Sequence, residues 1–278
     1  MHQRASWWQW PTVLSIDAPV VAVLWQRLFA RVSDVDPGWP GALVLGVSVW
    51  LAYAADRWIE GFRLDASVIR TPRHHFYVRF RWPVALVWIA ALAGDITVAF
   101  TYLDARDIVA GLLLIAAVAM YLLSHQLVHR HRAWRAPKEL CVAGLLSGGA
   151  VVFLTESAQP ATLMMPLALF ALLCFTNCAL ISVWEREVDR AHGQTSLALG
   201  DSNHETLIRQ LPVMIFALAA VASLLSAGPA RAAAAAASIS SVLLALVDRF
   251  ERIAGRQPAR VLADIALMTP AVTLWLTT

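Results

Sequence analysis

The chain has 278 residues, of which 59% are hydrophobic and only 15% charged, with a net charge of +3 and a mean hydropathy of +0.62. Soluble domains carry about a quarter of their residues as charges, so this composition argues against a soluble enzyme or a nucleic-acid-binding module. It predicts an all-α membrane protein that has the lipid bilayer as its solvent.

Residues 1–11 contain Arg4 and three tryptophans but no apolar stretch with a small-residue cleavage site, so they read as an interfacial segment rather than a signal peptide. Beyond them, apolar stretches separated by charged residues or Pro/Gly breaks predict nine transmembrane helices. These lie near 17–31, 41–60, 81–100, 106–126, 138–155, 161–185, 206–226, 230–248 and 260–277. The first is the most polar, with Asp17, Gln26 and Arg27, and reads as tilted or partly interfacial. Tryptophans such as Trp39, Trp58, Trp82 and Trp184 fall near the ends of these stretches, where an amphipathic ring suits the headgroup layer. The run Ala232–Ala237 provides small side chains for close helix packing. Cys141, Cys174 and Cys178 all fall in apolar helices without metal-ligand spacing and read as small buried hydrophobes. No linker is long or polar enough to divide the chain, which is taken as one transmembrane domain over 1–278.

With the amino terminus placed inside, 18 of the 22 basic residues fall on the cytoplasmic side. Losing one internal helix would invert every later loop and destroy this asymmetry. The chain therefore reads as a multi-pass protein with its amino terminus in the cytoplasm, and because no organelle-targeting segment is visible the membrane reads as a bacterial plasma membrane.

This topology sets two acidic clusters on the same membrane face. The second helix ends with Asp56-Arg57-Trp58-Ile59-Glu60, and the sixth with Glu185-Arg186-Glu187-Val188-Asp189-Arg190. Residues four apart on a helix return to nearly the same direction, so Asp56 with Glu60, and Glu185 with Asp189, each form a two-carboxylate face. Like charges at that spacing oppose helix formation and call for compensating cations. One such pair alone is most simply a solvated salt-bridge partner. Two pairs with the same spacing on one membrane face, each with an Asp-Arg step, point instead to a site. Four carboxylates around one mouth are hard oxygen ligands suited to Mg²⁺, making Asp56, Glu60, Glu185 and Asp189 candidate metal ligands with a catalytic role. Basic residues lie close by in sequence. Arg70 and Arg73 follow the first cluster, and Lys138, the one lysine of the chain, opens the fifth helix. Arg grips phosphate with two parallel hydrogen bonds and Lys adds a compact charge, so these side chains and Arg190 are candidate diphosphate binders.

In these features the chain resembles the UbiA superfamily of intramembrane prenyltransferases, which has nine transmembrane helices and two Asp-rich motifs. Ala52-xxx-Asp56-xxx-Glu60 is similar to the first motif, with Ala in its Asn position and Glu for its last Asp. Glu185-xxx-Asp189-Arg190-Ala-His-Gly193 is similar to the second, with Glu for its first Asp. The resemblance implies Mg²⁺ ions held by both motifs, an isoprenoid diphosphate as donor, and an allylic cation formed in an apolar cavity. It also implies a lipophilic or aromatic acceptor. Asn177, two helical turns before Glu185, is the candidate to replace the missing amide, and Tyr53, Tyr77, Tyr121 and His125 are candidates to line the cavity. Two alternatives stay open: a membrane terpene cyclase that ionises the same donor without a second substrate, and a catalytically silent lipid-binding or transport protein.

Overall fold

A computed structural model of the chain describes residues 6–63, 71–124, 137–154, 160–191, 197–199 and 202–276, and these are helical almost throughout. The helices, in chain order, are α1 (Trp10–Val13), α2 (Asp17–Ser33), α3 (Gly38–Arg63), α4 (Pro72–Arg79), α5 (Arg81–Tyr102), α6 (Ala105–Leu123) and α7 (Lys138–Val151). They continue with α8 (Pro160–Trp184), α9 (Arg186–Ala191), α10 (Ser202–Leu225), α11 (Gly228–Ala254), α12 (Arg256–Ala266) and α13 (Pro270–Leu276).

The protein is an integral multi-pass membrane protein. Among the described residues seven spans are long and apolar enough to cross a bilayer, and an eighth arises if the segments Trp7–Val13 and Asp17–Ser33, bent by 72°, count as one. The difference from nine lies at α7. Its 14 described residues rise only about 21 Å, short of the hydrocarbon thickness. The ninth expected helix is present but broken into α12 and α13, which together make one span. The expected interfacial segment is a short 3-10 turn, Trp7–Gln9, leading into α1, with Trp7 exposed.

The first expected helix, polar as its sequence is, lies in the core. Trp25 of α2 stacks on Phe170 of α8 with ring centroids 4.5 Å apart, and its Nε1–H donates to the Leu267 carbonyl at 2.9 Å. That contact also satisfies a backbone acceptor at the break between α12 and α13, where intrahelical partners run out. Arg27 is held at the surface by Asp36 at 3.0 Å, so the helix sheds its charge at one end.

In α11 the alanines Ala233, Ala234, Ala236 and Ala237 are all buried. Small side chains let the backbones of neighbouring helices approach closely, which is how membrane helices gain packing without a hydrophobic drive between them. Gly255 joins α11 to α12 with φ +84, a left-handed conformation that a side chain would strain. On the other side of the bundle, α5 buries only Asp95 and α6 buries none of its residues. These two helices present apolar side chains to lipid and form the thin wall of the cavity described next.

Candidate functional site

The last two turns of α3 carry Asp56 and Glu60 on one face of a continuous helix. The chain turns between α8 and α9 at Glu185, but the helical repeat survives. Glu185 N–H donates to Ile181 O at 2.8 Å and Asp189 N–H to Glu185 O at 2.9 Å. Glu185 and Asp189 therefore stay on one side despite the break. All four carboxylate residues line one cavity of about 700 Å³, together with Arg57, Arg73, Lys138 and Arg260.

The first acidic cluster is matched by a cation of its own helix, the second by cations from other parts of the chain. Arg57 Nη1 donates to Glu60 Oε2 at 2.9 Å and lies 3.8 Å from Asp56 Oδ2. Arg73 of α4 and Arg260 of α12 both reach Glu185 Oε2, at 3.3 and 2.6 Å. Lys138 at the start of α7 reaches Asp189 Oδ2 at 3.4 Å. Carboxylates this far from bulk water require such partners, because desolvation of an unpaired charge costs several kcal/mol. The pairing accounts for the tolerance of like charges four residues apart.

His74 supports the same cluster from below. Thr71 Oγ1 hydrogen-bonds its Nδ1, which leaves Nε2–H to face Glu60 Oε2 at 3.1 Å. Burial pushes the imidazole down to about 4, against the pull of Glu60, so the ring is neutral at ordinary pH.

Three guanidinium nitrogens in this charged end have no partner among the described residues: Arg73 Nε, Arg73 Nη1 and Arg260 Nε, all buried. Buried donors of this kind are normally satisfied. Two of them on one side chain leave Arg73 with an open edge for an oxyanion.

Beyond the charged end the cavity is largely apolar, interrupted by Ser48 and Asp95, whose side chains hydrogen-bond at 2.8 Å, and by Asp107. It runs between α3, α5, α6 and α7 along Val44, Leu45, Leu92, Ile96, Ile115, Val118, Leu145 and Phe153. On α3 alone the distance from Val44 to Glu60 corresponds to a rise of about 24 Å, most of a bilayer's hydrocarbon core.

The structure distributes the residues expected from sequence unevenly. Asp56, Glu60, Glu185, Asp189, Arg73, Lys138 and Asn177 all line the cavity. Arg70 and His125 lie outside the described residues. Arg190 does not join the site: it is exposed on α9 and is absent from the cavity wall, because its position one residue past Asp189 turns it about 100° around the helix. Tyr53 and Tyr121 line the cavity, whereas Tyr77 packs elsewhere with its hydroxyl 3.4 Å from Ser15 Oγ.

Sequence reasoning overlooked Arg260, Asp264, Asp17 and Glu139, which also line the cavity. A signal existed for the first two, since Arg260 and Asp264 are four residues apart at the start of an apolar span. Asn177 Nδ2 donates to Asp264 Oδ1 at 3.0 Å, so that amide turns to a carboxyl on α12 rather than to Glu185.

No protein-family model matches this chain, and no curated protein matches it. Among solved structures, the apo structure of a UbiA homolog from Aeropyrum pernix K1 is similar at a TM-score of 0.63 and 15% sequence identity, covering 94% of this chain and 98% of that one. The chain thus has the UbiA fold over nearly its whole length.

Proposed function

We propose that this chain is a UbiA-type, Mg²⁺-dependent prenyltransferase that uses an isoprenoid diphosphate donor and a lipophilic or aromatic acceptor. The observation that carries this reading is one cavity with two chemistries: an end rich in Arg and Lys with guanidinium donors unpartnered among the described residues, and a long, largely apolar remainder bordered by lipid-facing helices. A diphosphate head and an isoprenoid tail match these two parts in order. The UbiA fold supports the same reading. The cavity walls keep water from a carbocation, and the fixed donors stabilise the charge that collects on the leaving diphosphate.

Arg73 binds the diphosphate through its open edge, with Lys138 and Arg260 as further charges; Arg70, three residues earlier in sequence, belongs to the same proposal. An arriving diphosphate competes with Glu185 and Asp189 for these cations. The carboxylates released from them are hard oxygen donors, and the donor set fits Mg²⁺, which takes one or two carboxylates alongside substrate phosphates. Asp56, Glu60, Glu185 and Asp189 would hold the ion, which when bound would neutralise charge on the leaving group. Among the described residues no three His, Cys, Asp or Glu side chains already converge on a metal position. The reading therefore requires the carboxylates to exchange their cation partners on substrate binding. We place the amino terminus and both acidic clusters on the cytoplasmic side of the membrane, following the basic-residue asymmetry.

One observation favours a second reading, that of a silent lipid-binding protein. Glu60, Glu185 and Asp189 each hold a fixed cation, so the site is charge-balanced as it stands. Release of pyrophosphate from farnesyl or geranylgeranyl diphosphate, measured with Mg²⁺ and with EDTA, separates the two. Mg²⁺-dependent release supports the transferase; binding of the donor without release, with or without candidate acceptors, supports the silent reading.

A further inference from the structure

Asp95 interrupts the apolar stretch of the cavity with a carboxyl whose hydrogen bonding is half unmet. It sits within α5, fourteen residues from the start of that helix and seven from its end, so it lies inside the hydrocarbon. It is also the one residue that α5 buries: a helix that otherwise meets lipid turns its carboxyl inward. Ser48 Oγ of α3 donates to Asp95 Oδ2 at 2.8 Å, which joins the two helices. That bond accounts for Oδ2 but not for Oδ1, which is buried and has no partner among the described residues. No cation among them pairs with the carboxyl. Trp88, two turns earlier on α5, is already committed, its Nε1–H donating to the Leu51 carbonyl at 2.9 Å. A carboxyl kept only to join helices would gain nothing from an oxygen left unsatisfied in hydrocarbon, where such a group costs free energy. Asp95 and Ser48 both line the cavity, so a molecule that fills it can supply the missing contact.

We propose that Asp95 and Ser48 form a subsite for a hydroxyl carried on an isoprenoid chain, so that the chain this cavity selects is an oxygenated one. Ser48 lies eight residues before Asp56 on α3, a rise of about 12 Å, which sets the subsite along the tail and away from the diphosphate. A hydroxyl fits because it both donates and accepts, and so completes the carboxyl in its ionised or its protonated form. The rest of such a chain is hydrocarbon and suits the neighbouring Leu45, Leu92 and Ile96. A cationic amine would have to shed its hydration at this depth, a cost that one carboxylate offsets only with further hydrogen bonds. The inference rests on the prenyl-transfer reading in that it makes the oxygenated chain the donor's own tail.

The test uses the full chain in lipid nanodiscs with farnesyl thiodiphosphate and two forms of it, hydroxylated at the far end of the second or of the third isoprene unit. The better-placed hydroxylated form should bind about tenfold more tightly than the parent, the scale of one well-made buried hydrogen bond. Asp95→Leu should reverse that order, strengthening the parent and weakening the hydroxylated form. Asp95→Asn should keep most of the preference, and a cooperative thermal transition in each variant reports folding. Equal binding of the three thiodiphosphates to the natural chain, or a preference that survives Asp95→Leu, overturns the subsite. If no thiodiphosphate binds, the prenyl-transfer reading fails, and the subsite is read instead from farnesol against farnesene, a pair without diphosphate. An Asp95-dependent preference for farnesol then sustains it, and the lack of one overturns it.

Discussion

Arg73 Nη2 and Glu185 Oε2 lie 3.3 Å apart although 112 residues separate them in sequence. The contact ties the short helix α4 to the turn between α8 and α9, and it leaves Arg73 Nε and Nη1 without a partner among the described residues. Glu185 has a second cation in Arg260, so removing Arg73 does not strand a buried carboxylate.

Arg73→Gln should therefore fold normally and lose donor affinity. A charge-assisted hydrogen bond contributes about 1.5–3 kcal/mol, which corresponds to a loss of roughly 10- to 100-fold in binding of farnesyl thiodiphosphate. Arg73→Lys should recover only part of it, because an ammonium cannot make the paired contact of a guanidinium. Full affinity in Arg73→Gln would remove Arg73 from the phosphate site.

Asp189 has a single fixed cation among the described contacts, Lys138 at 3.4 Å. Asp189→Asn keeps the shape and a hydrogen-bonding oxygen but removes the charge that holds a divalent ion. Mg²⁺-dependent pyrophosphate release should fall on the order of 100-fold, the scale of one preorganised charge contact in a transition state. Raising Mg²⁺ should restore part of the rate if the lost step is metal binding. Lys138→Gln should weaken donor binding more than it changes the Mg²⁺ dependence.

The fold was readable because bilayer burial demands long apolar runs, and the runs mark the helices directly. The paired carboxylates were readable because helical spacing is local: four residues along the chain guarantee a shared face. Arg260, Asp264 and Asp17 escaped because their relevance depends on which helices meet. Arg260 looked like one more cytoplasmic charge, and Asp17 like a sign that the first helix was interfacial. The helix α4 was also missed, since its eight residues are too polar and too short to register as a span. Arg190 was misjudged because it was judged by its neighbours in sequence, while one residue along a helix turns a side chain away from them.

His74 gives a prediction for metal-free protein. Its imidazole titrates at about 4 when folded, against 6.5 unperturbed, because it is buried. As pH falls, the unfolded chain takes up the proton first. The stability due to neutral His74 is thus complete above about 6.5, declines from there towards 4, and is lost below it, a span of about 3 kcal/mol at most. Thermal unfolding in detergent without Mg²⁺ should show a Tm that drops over this range. His74→Asn should lower the Tm near neutral pH and flatten the acid-side slope. An identical slope in the variant would assign the acid sensitivity to other groups.

The apolar part of the cavity makes a prediction about chain length. Gly111 of α6 lines it about ten residues from Tyr121, a rise of about 15 Å towards the far side of the membrane. A Cβ added at Gly111 would sit 3.8 Å from Phe153 Cε1, an ordinary contact, so a side chain is tolerated at its root and extends into the cavity. Gly111→Phe should therefore block the lower end and leave the charged end untouched. Donor preference should move from geranylgeranyl towards geranyl diphosphate, with the affinity for inorganic pyrophosphate unchanged. A uniform loss for all donors would mean that the substitution disturbs the bundle, and an unchanged preference would place the tail on another path, away from α6.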